Sequence, residues 1–303
     1  METRSARKIS SARGGNWTRR RFLKYAFRLS VLSFIGFGFA GRNDLTTEHL
    51  TLRFPNLPKA FDGFRIVQIS DLHASFWVTE TYLNQVVDRV NALPKDLLVI
   101  TGDLITGSVN DFWKRWFPSA GGDHVAAISA AFQRLHAGPK LAVLGNHDQW
   151  DGKKTELRLV SELERLGIDV LRNRSVKLSR GEETIAFAGT DDIWFTYDID
   201  RALREVPREA FTVVLSHSPD VREDLGPEKR VELVLCGHTH GGQVAVPYLS
   251  HHFIPIKNPA RYLAGLVREP YGYTYVNRGI GTLVFPFRIG APPEITSIRM
   301  RRA

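Results

Sequence analysis

The chain has 303 residues, of which 43% are hydrophobic and 24% charged, and a formal charge of +9. That is the composition of a globular protein, long enough for one large domain or two small ones around a buried core. Residues 1–42 hold ten Lys/Arg against one acid, Glu2, so residues 43–303 carry 31 basic and 31 acidic side chains. The basicity belongs to the leader, which argues against a nucleic-acid partner for the body. A single cysteine, Cys236, excludes an internal disulfide and a Cys-based zinc site and reads as a small buried strand residue.

Residues 1–21 are polar and basic and read as disordered. Within residues 1–43, taken as a leader, Thr18-Arg19-Arg20-Arg21-Phe22-Leu23-Lys24 resembles a twin-arginine export signal. The apolar run Leu29 to Ala40 follows. It is short against the ~20 residues of a membrane span and fits a signal-peptide core, with Gly38-Phe39-Ala40 as a candidate cleavage site. Export to the periplasm or outer membrane face, with or without retention of the leader as an anchor, is therefore expected. The alternative is a basic amphipathic anchor on the cytoplasmic face of the inner membrane.

From residue 44 onward the elements alternate. Thr46 to Phe54 reads as an edge strand ended by Pro55 and Pro58. Strand 64–70 delivers Asp71-Leu72-His73. A helix is expected over 80–93, from Leu83, Val86, Val87, Val90 and Leu93. Strand 96–101 delivers Gly102-Asp103. Helix 124–136 precedes strand 140–144, which delivers Gly145-Asn146-His147-Asp148. Helix 155–167 stops at Gly167. Short strands are expected at 170–171 and 184–188, and a helix at 198–206. Strand 210–215 delivers Ser216-His217, and strand 231–236 delivers Gly237-His238-Thr239-His240. The rest is Pro- and Gly-rich, with strands at 273–277 and 295–299. The pattern is one α/β domain, 44–303, with a layered sheet core.

Five strand ends thus carry Asp71 and His73, Asp103, Asn146 and His147, His217, and His238 and His240. Ends of strands with Gly-rich loops are where sheets concentrate site residues. On extended backbone, His238 and His240 project to one side. Carboxylates, an amide oxygen and imidazoles without thiolate suit Mn²⁺, Fe or Zn²⁺ better than Ca²⁺ or Mg²⁺. The donors outnumber what one ion needs, and two ions sharing a carboxylate is the economical arrangement.

In order and spacing these motifs resemble those of the calcineurin-like metallophosphoesterases, from about residue 46 to 300. The words Gly241-Gly242-Gln243, Arg261-Tyr262, Arg278-Gly279 and Arg288 to Ile295 resemble its YkuE/YaeI-type branch, related to the LpxG-type UDP-2,3-diacylglucosamine pyrophosphatases. The resemblance implies a four-layer α/β/β/α sandwich with two mixed sheets. It implies one divalent metal on Asp71, His73 and His240, a second on Asn146, His217 and His238, and Asp103 bridging, with Mn²⁺ the leading identity. A metal-bridging hydroxide would attack phosphorus in line, and His147 would act as a catalytic group on the phosphoryl or leaving oxygen. Protein phosphatases of the superfamily carry an Asp where this chain has Thr106, which points away from them and towards phosphodiesterases. Asp148 is a candidate for orienting the site.

Other residues carry weaker signals. Phe112-Trp113-Lys114-Arg115-Trp116-Phe117 interleaves aromatics with cations and fits a lipid interface, stacking on bases, or packing under its loop. Trp150 is a candidate pocket wall, and Arg278 a candidate phosphate contact or a salt bridge beneath the site. The expected function is hydrolysis of a phosphodiester or pyrophosphate in a lipid- or nucleotide-linked substrate. The alternatives are a UDP-2,3-diacylglucosamine pyrophosphatase on the cytoplasmic membrane face, which needs the leader to be an anchor, and a non-catalytic metal-binding envelope protein.

Overall fold

The computed structural model describes residues 19–107, 115, 123–245, 250–283 and 285–303, without the side chains of 34 and 35. Two compact units divide the chain, one ending at Phe37 and the other running Gly38–Ala303. The first contains most of helix α1 (Arg19–Gly41, 23 residues). The helix starts inside the basic stretch expected to be disordered and is longer than the apolar run alone. Phe22, Leu23, Tyr25 and Phe27 interleave with the cations and extend the apolar character by two turns. Its length and composition suffice to cross a membrane, a property that signal sequences share.

The second unit is built on two six-stranded mixed sheets. The first runs in the order β1 (Thr46–Phe54), β12 (Glu294–Arg302), β2 (Arg65–Ile69), β3 (Leu97–Thr101), β4 (Lys140–Val143), β5 (Asp169–Val170). The second runs β10 (Gly265–Glu269), β11 (Gly272–Val276), β9 (Leu233–Cys236), β8 (Phe211–Leu215), β7 (Glu183–Gly189), β6 (Arg174–Arg180). Neighbours are parallel except β12–β2 in the first sheet and β10–β11 and β7–β6 in the second. The expected edge strand 46–54 is indeed at an edge.

Strand alternation assigns the layers. Ile66, Leu97, Val99, Leu141 and Val143 of the first sheet pack against Phe187, Val213, Leu215, Leu233 and Leu235 of the second. On the other face of the first sheet, Val67, Ile69, Leu98 and Ile100 meet α2 (Glu80–Ala92), α3 (His124–Phe132) and α5 (Lys153–Arg165), through Leu83, Val86, Ile128, Leu159 and Leu163. The second sheet's outer face, with Ala188, Val214 and Val234, is covered by Ile199 and Ala202 of the short helix α6 (Ile199–Leu203) and by Val221. Each such Val, Leu, Ile or Phe side chain, buried, stabilises the fold by about 1.5–3 kcal/mol before entropy is counted. The architecture is the expected four-layer α/β/β/α sandwich, with a thin fourth layer.

Three elements escape the sequence reading: β10 at one edge of the second sheet, β6 at the other, and α4. Strand β6 has only Val176 and Leu178 as apolar residues in Arg-Ser-Val-Lys-Leu-Ser-Arg, and as an edge strand it buries little. Helix α4 (Asn146–Trp150) coincides with the Asn-His-Asp motif and has no apolar periodicity to announce it. Its start depends on Asp148, whose Oδ2 accepts the Gly145 N–H at 3.0 Å.

Candidate metal centre

The parallel strands of both sheets turn their C-terminal ends to one edge, and the expected donors meet there. Asp71 and His73 follow β2, Asp103 follows β3, Asn146 and His147 follow β4, His217 follows β8, and His238 and His240 follow β9. Among the described residues, eight non-glycine residues have positive φ. Five are expected ligands: Asp71 (48°), His73 (49°), Asp103 (52°), His238 (71°) and His240 (53°). Left-handed backbone costs such residues on the order of 1–3 kcal/mol each, a strain the surrounding packing must over-determine. Two glycines permit the close approach. A Cβ on Gly145 would lie 2.1 Å from Asp103 Oδ1, and one on Gly237 would lie 2.0 Å from Ser70 Oγ.

The donors fall into two clusters. Asp71, His73 and His240 bring ligand atoms within 4.8 Å of one another, and so do Asp103, His217 and His238. Asp103 ties the clusters together, its Oδ2 being 3.1 Å from His217 Nε2 and 3.4 Å from His73 Nε2. Ring nitrogens face each other in both, His73 Nε2 to His240 Nε2 at 3.0 Å and His217 Nε2 to His238 Nδ1 at 3.1 Å. The buried Asn146 Oδ1 has no hydrogen-bond partner. Converging lone pairs and an unpartnered buried amide oxygen are what a divalent cation satisfies, and the residues fit two such ions.

Electrostatics follow from burial. Desolvation pushes the Asp71 carboxyl up to about 6, with Asp103 nearby adding to the shift. Burial would raise Asp103 too. There His217, by charge and hydrogen bond, with His147 and His73, outweighs it and holds the carboxyl well below the usual range. Burial lowers His73 and His238 to about 3, and pushes His240 down as well, which keeps these imidazoles neutral and able to donate lone pairs. Burial opposes charge on His217, but Asp103 overcomes it and raises that ring. His217 Nδ1 donates to Thr101 O at 2.8 Å, which leaves Nε2 for the cluster.

His147 lies beside the clusters, its ring 4.9 Å from that of His73. Its Nδ1 donates to Thr106 O at 2.9 Å, so a backbone carbonyl orients the ring and Nε2 is left for substrate. Thr106 Oγ1 in turn donates to His73 O at 3.0 Å. Asp148, raised to about 7 chiefly by burial, accepts the N–H groups of Leu104, Ile105 and Gly145 at 2.8, 3.1 and 3.0 Å. It joins the loops after β3 and β4.

Above the centre is a cleft of about 390 Å³ lined by Asp103, Asn146, His147, His238 and His240 and by Trp150, as expected of that residue. Arg278 is not among its lining residues. Its Nη2 pairs with Glu48 at 2.7 Å and its Nε with Glu294 at 3.0 Å, the salt-bridge arrangement between β1 and β12 that was the other expectation for it. The aromatic patch 112–117, Arg115 excepted, lies outside the described residues.

Two contributors were not singled out from sequence. Trp194, just past the strand-end Gly189-Thr190-Asp191, lines the same cleft; a tryptophan soon after a strand end was the available signal. Arg288 is buried, and its guanidinium donates to Gly281 O, Arg278 O and Ala291 O at 2.5–3.0 Å, with Nη2 3.2 Å from His240 Nδ1. It sits in the matched word 288–295, but only the fold shows what it holds.

A two-sheet sandwich with nitrogen and oxygen donors gathered at its strand ends defines a metal-dependent phosphoesterase. The family model for calcineurin-like phosphoesterase matches residues 64–242, and the chain belongs to that family. It is 32% identical over 296 residues to YkuE of Bacillus subtilis (strain 168), described as an uncharacterized metallophosphoesterase, covering 94% of this chain and 98% of the relative. It is 28% identical to the phosphodiesterase YaeI of Escherichia coli (strain K12), covering 93% and 99%. Among solved structures, a dimetal phosphatase from Danio rerio aligns over 72% of this chain and 88% of its own, at 13% identity and a TM-score of 0.44.

Proposed function

We propose that this phosphoesterase hydrolyses a phosphodiester or pyrophosphate bond in a lipid- or nucleotide-linked substrate. The observation that carries a binuclear reading is Asp103, one carboxylate oxygen within 3.4 Å of ring nitrogens from both clusters. Asp71, His73 and His240 would hold one divalent ion and Asn146, His217 and His238 the other, with Asp103 shared. Mn²⁺ is the identity favoured by the donor set, ahead of Fe and Zn²⁺. Bound there, such ions neutralise phosphoryl charge and make water a competent nucleophile near neutral pH.

The chain's own residues supply the rest. The Thr106 carbonyl holds His147 with Nε2 available to carry a proton to the leaving oxygen. A carbonyl in that orienting position, in place of a carboxylate, favours diesters over phosphoprotein monoesters, and the likeness to a phosphodiesterase named as such supports the same preference. The leader supports export, because Arg19, Arg20 and Arg21 stand at the start of a helix long enough for a signal or an anchor.

The test is turnover of bis-p-nitrophenyl phosphate and p-nitrophenyl phosphate by the full-length chain, stripped of metal and then reloaded with Mn²⁺. Metal-dependent hydrolysis favouring the diester is expected, with bound metal and activity both lost in Asp103→Asn. Turnover of the monoester alone would overturn the diester reading. A reporter active only in the periplasm, fused after residue 45, should give signal; silence would place the domain on the cytoplasmic face.

A further inference from the structure

The cleft above the metal centre has an unusual lining. Trp150 ends α4 and Trp194 lies in the loop after β7. Their rings stack with centroids 5.3 Å apart and planes 16° from parallel. Trp150 meets the His147 ring edge-on at 4.6 Å, and Trp194 meets His238 at 5.4 Å. The pair is therefore built against the catalytic histidine on one side and a metal-ligand candidate on the other. Both indoles stay about 40% exposed, at 43% and 42%, so each turns broad apolar surface outward. Phe253, Ile254, Pro255 and Leu283 complete the rim, and Phe253 is 82% exposed.

Apart from Asn146 and His147 at the centre itself, the polar side chains Gln243 and Thr239 of the lining are already committed. Gln243 gives Nε2 to Leu283 O and Phe285 O at 3.0 and 3.1 Å and takes the Leu283 N–H at 2.7 Å. Thr239 Oγ1 donates to Leu263 O at 2.7 Å. Among the described residues no lysine or arginine lines the cleft. A nucleotide would bring a base edge that needs hydrogen-bonding partners, and among the described residues of the rim the side chains of Gln243 and Thr239 are already spent on the chain itself. An aliphatic chain needs none and gains from every methylene it buries.

We propose that the Trp150–Trp194 pair and its apolar rim form a subsite for an alkyl or acyl chain next to the scissile phosphate, so that the enzyme selects amphiphilic phosphodiesters over nucleotide ones. This rests on the phosphodiester reading above and narrows it. Trp194 is the specificity-determining residue that the fold adds, since nothing in its sequence neighbourhood ties it to the histidine motifs.

The test uses the full-length, Mn²⁺-loaded protein in amphipol, with every probe below its micellar concentration. Methyl, octyl and thymidine-5′ p-nitrophenyl phosphodiesters are compared by kcat/KM. The octyl ester should exceed the methyl ester by about tenfold or more, the gain from burying only two of its seven additional methylenes. The thymidine ester should not match the octyl one. Trp194→Ala should reduce the octyl-to-methyl ratio to about threefold or less, and Trp194→Phe should keep most of it. Phe195→Ala, a neighbour of similar exposure outside the cleft lining, should leave the ratio unchanged.

Calorimetric binding of octyl phosphate and methyl phosphate reads the subsite without turnover, and octyl phosphate should bind about tenfold more tightly. If no diester is hydrolysed but this binding difference is present and lost in Trp194→Ala, the diester reading fails while the chain subsite stands. An octyl-to-methyl ratio near one, a thymidine ester that equals the octyl ester, or a ratio indifferent to Trp194→Ala would overturn the proposal.

Discussion

At the scale of single residues, backbone and side chain share the work of the centre. Five of the seven ligand candidates sit in strained left-handed conformations, and neighbours hold them there. Arg288 is one of those neighbours. Burial lowers its guanidinium to about 10, yet it stays cationic at neutral pH and joins the carbonyls of residues 278, 281 and 291. Arg288→Met would leave those carbonyls unsatisfied. It should lower unfolding stability in urea by roughly 3 kcal/mol and weaken the ion held with His240. His147 has a different role. His147→Ala should lower kcat by about 10²–10⁴-fold while the metal content stays that of the wild type. A variant that lost metal in parallel would make His147 a ligand.

At the scale of elements, caps and ion pairs set the helix boundaries that the periodicity leaves vague. Helix α3 starts at Asp123, whose Oδ1 accepts the Ala126 N–H at 3.0 Å and whose carboxylate also pairs with Arg158. Hydrogen bonds from Arg158, then the Ala126 N–H, hold this carboxyl below its ordinary value. A carboxylate depressed in the folded state contributes fully above the ordinary aspartate range. It loses that contribution as pH falls through that range and then through the depressed value. Asp123→Ala should therefore cost about 1 kcal/mol at neutral pH, nearly all of it from the cap, because the largely exposed ion pair adds little. Urea melts of the two proteins should converge as the pH drops below about 4.

At the scale of the whole molecule, two sheets packed face to face are also tied together by polar contacts near the centre. Gln68 reaches across, giving Nε2 to Thr101 Oγ1 and to Cys236 O, both at 3.0 Å. The His238 N–H bonds Asp71 Oδ1 and Oδ2 at 3.0 and 3.1 Å. Cations shared by ligands from both sheets would lock this contact further. Stripping metal with a chelator should lower Tm by roughly 5–10 °C, the span that an ion at about a hundred times its Kd supplies in a domain of this size. Mn²⁺ should restore it, and Asp103→Asn should show no such recovery. A Tm indifferent to metal would mean that the centre is rigid without it.

The sequence alone determined the ten strands with a strong apolar pattern, since apolar alternation and runs such as Leu97-Leu98-Val99-Ile100 obey a short-range rule that survives without tertiary contacts. It also located the donors, because each of the five motifs follows its strand directly in the chain. It left β6, β10 and α4 unseen: the first two are edge strands, and the third is a single turn started by Asp148. Trp194 and Arg288 gained meaning only from the fold, as did the exclusion of Arg278 from the cleft. Which imidazoles face each other, and that Asp103 touches both clusters, depends on sheet order and on loops brought together from residues as much as 167 positions apart. Local propensity cannot encode those distances, because packing between the two sheets sets them.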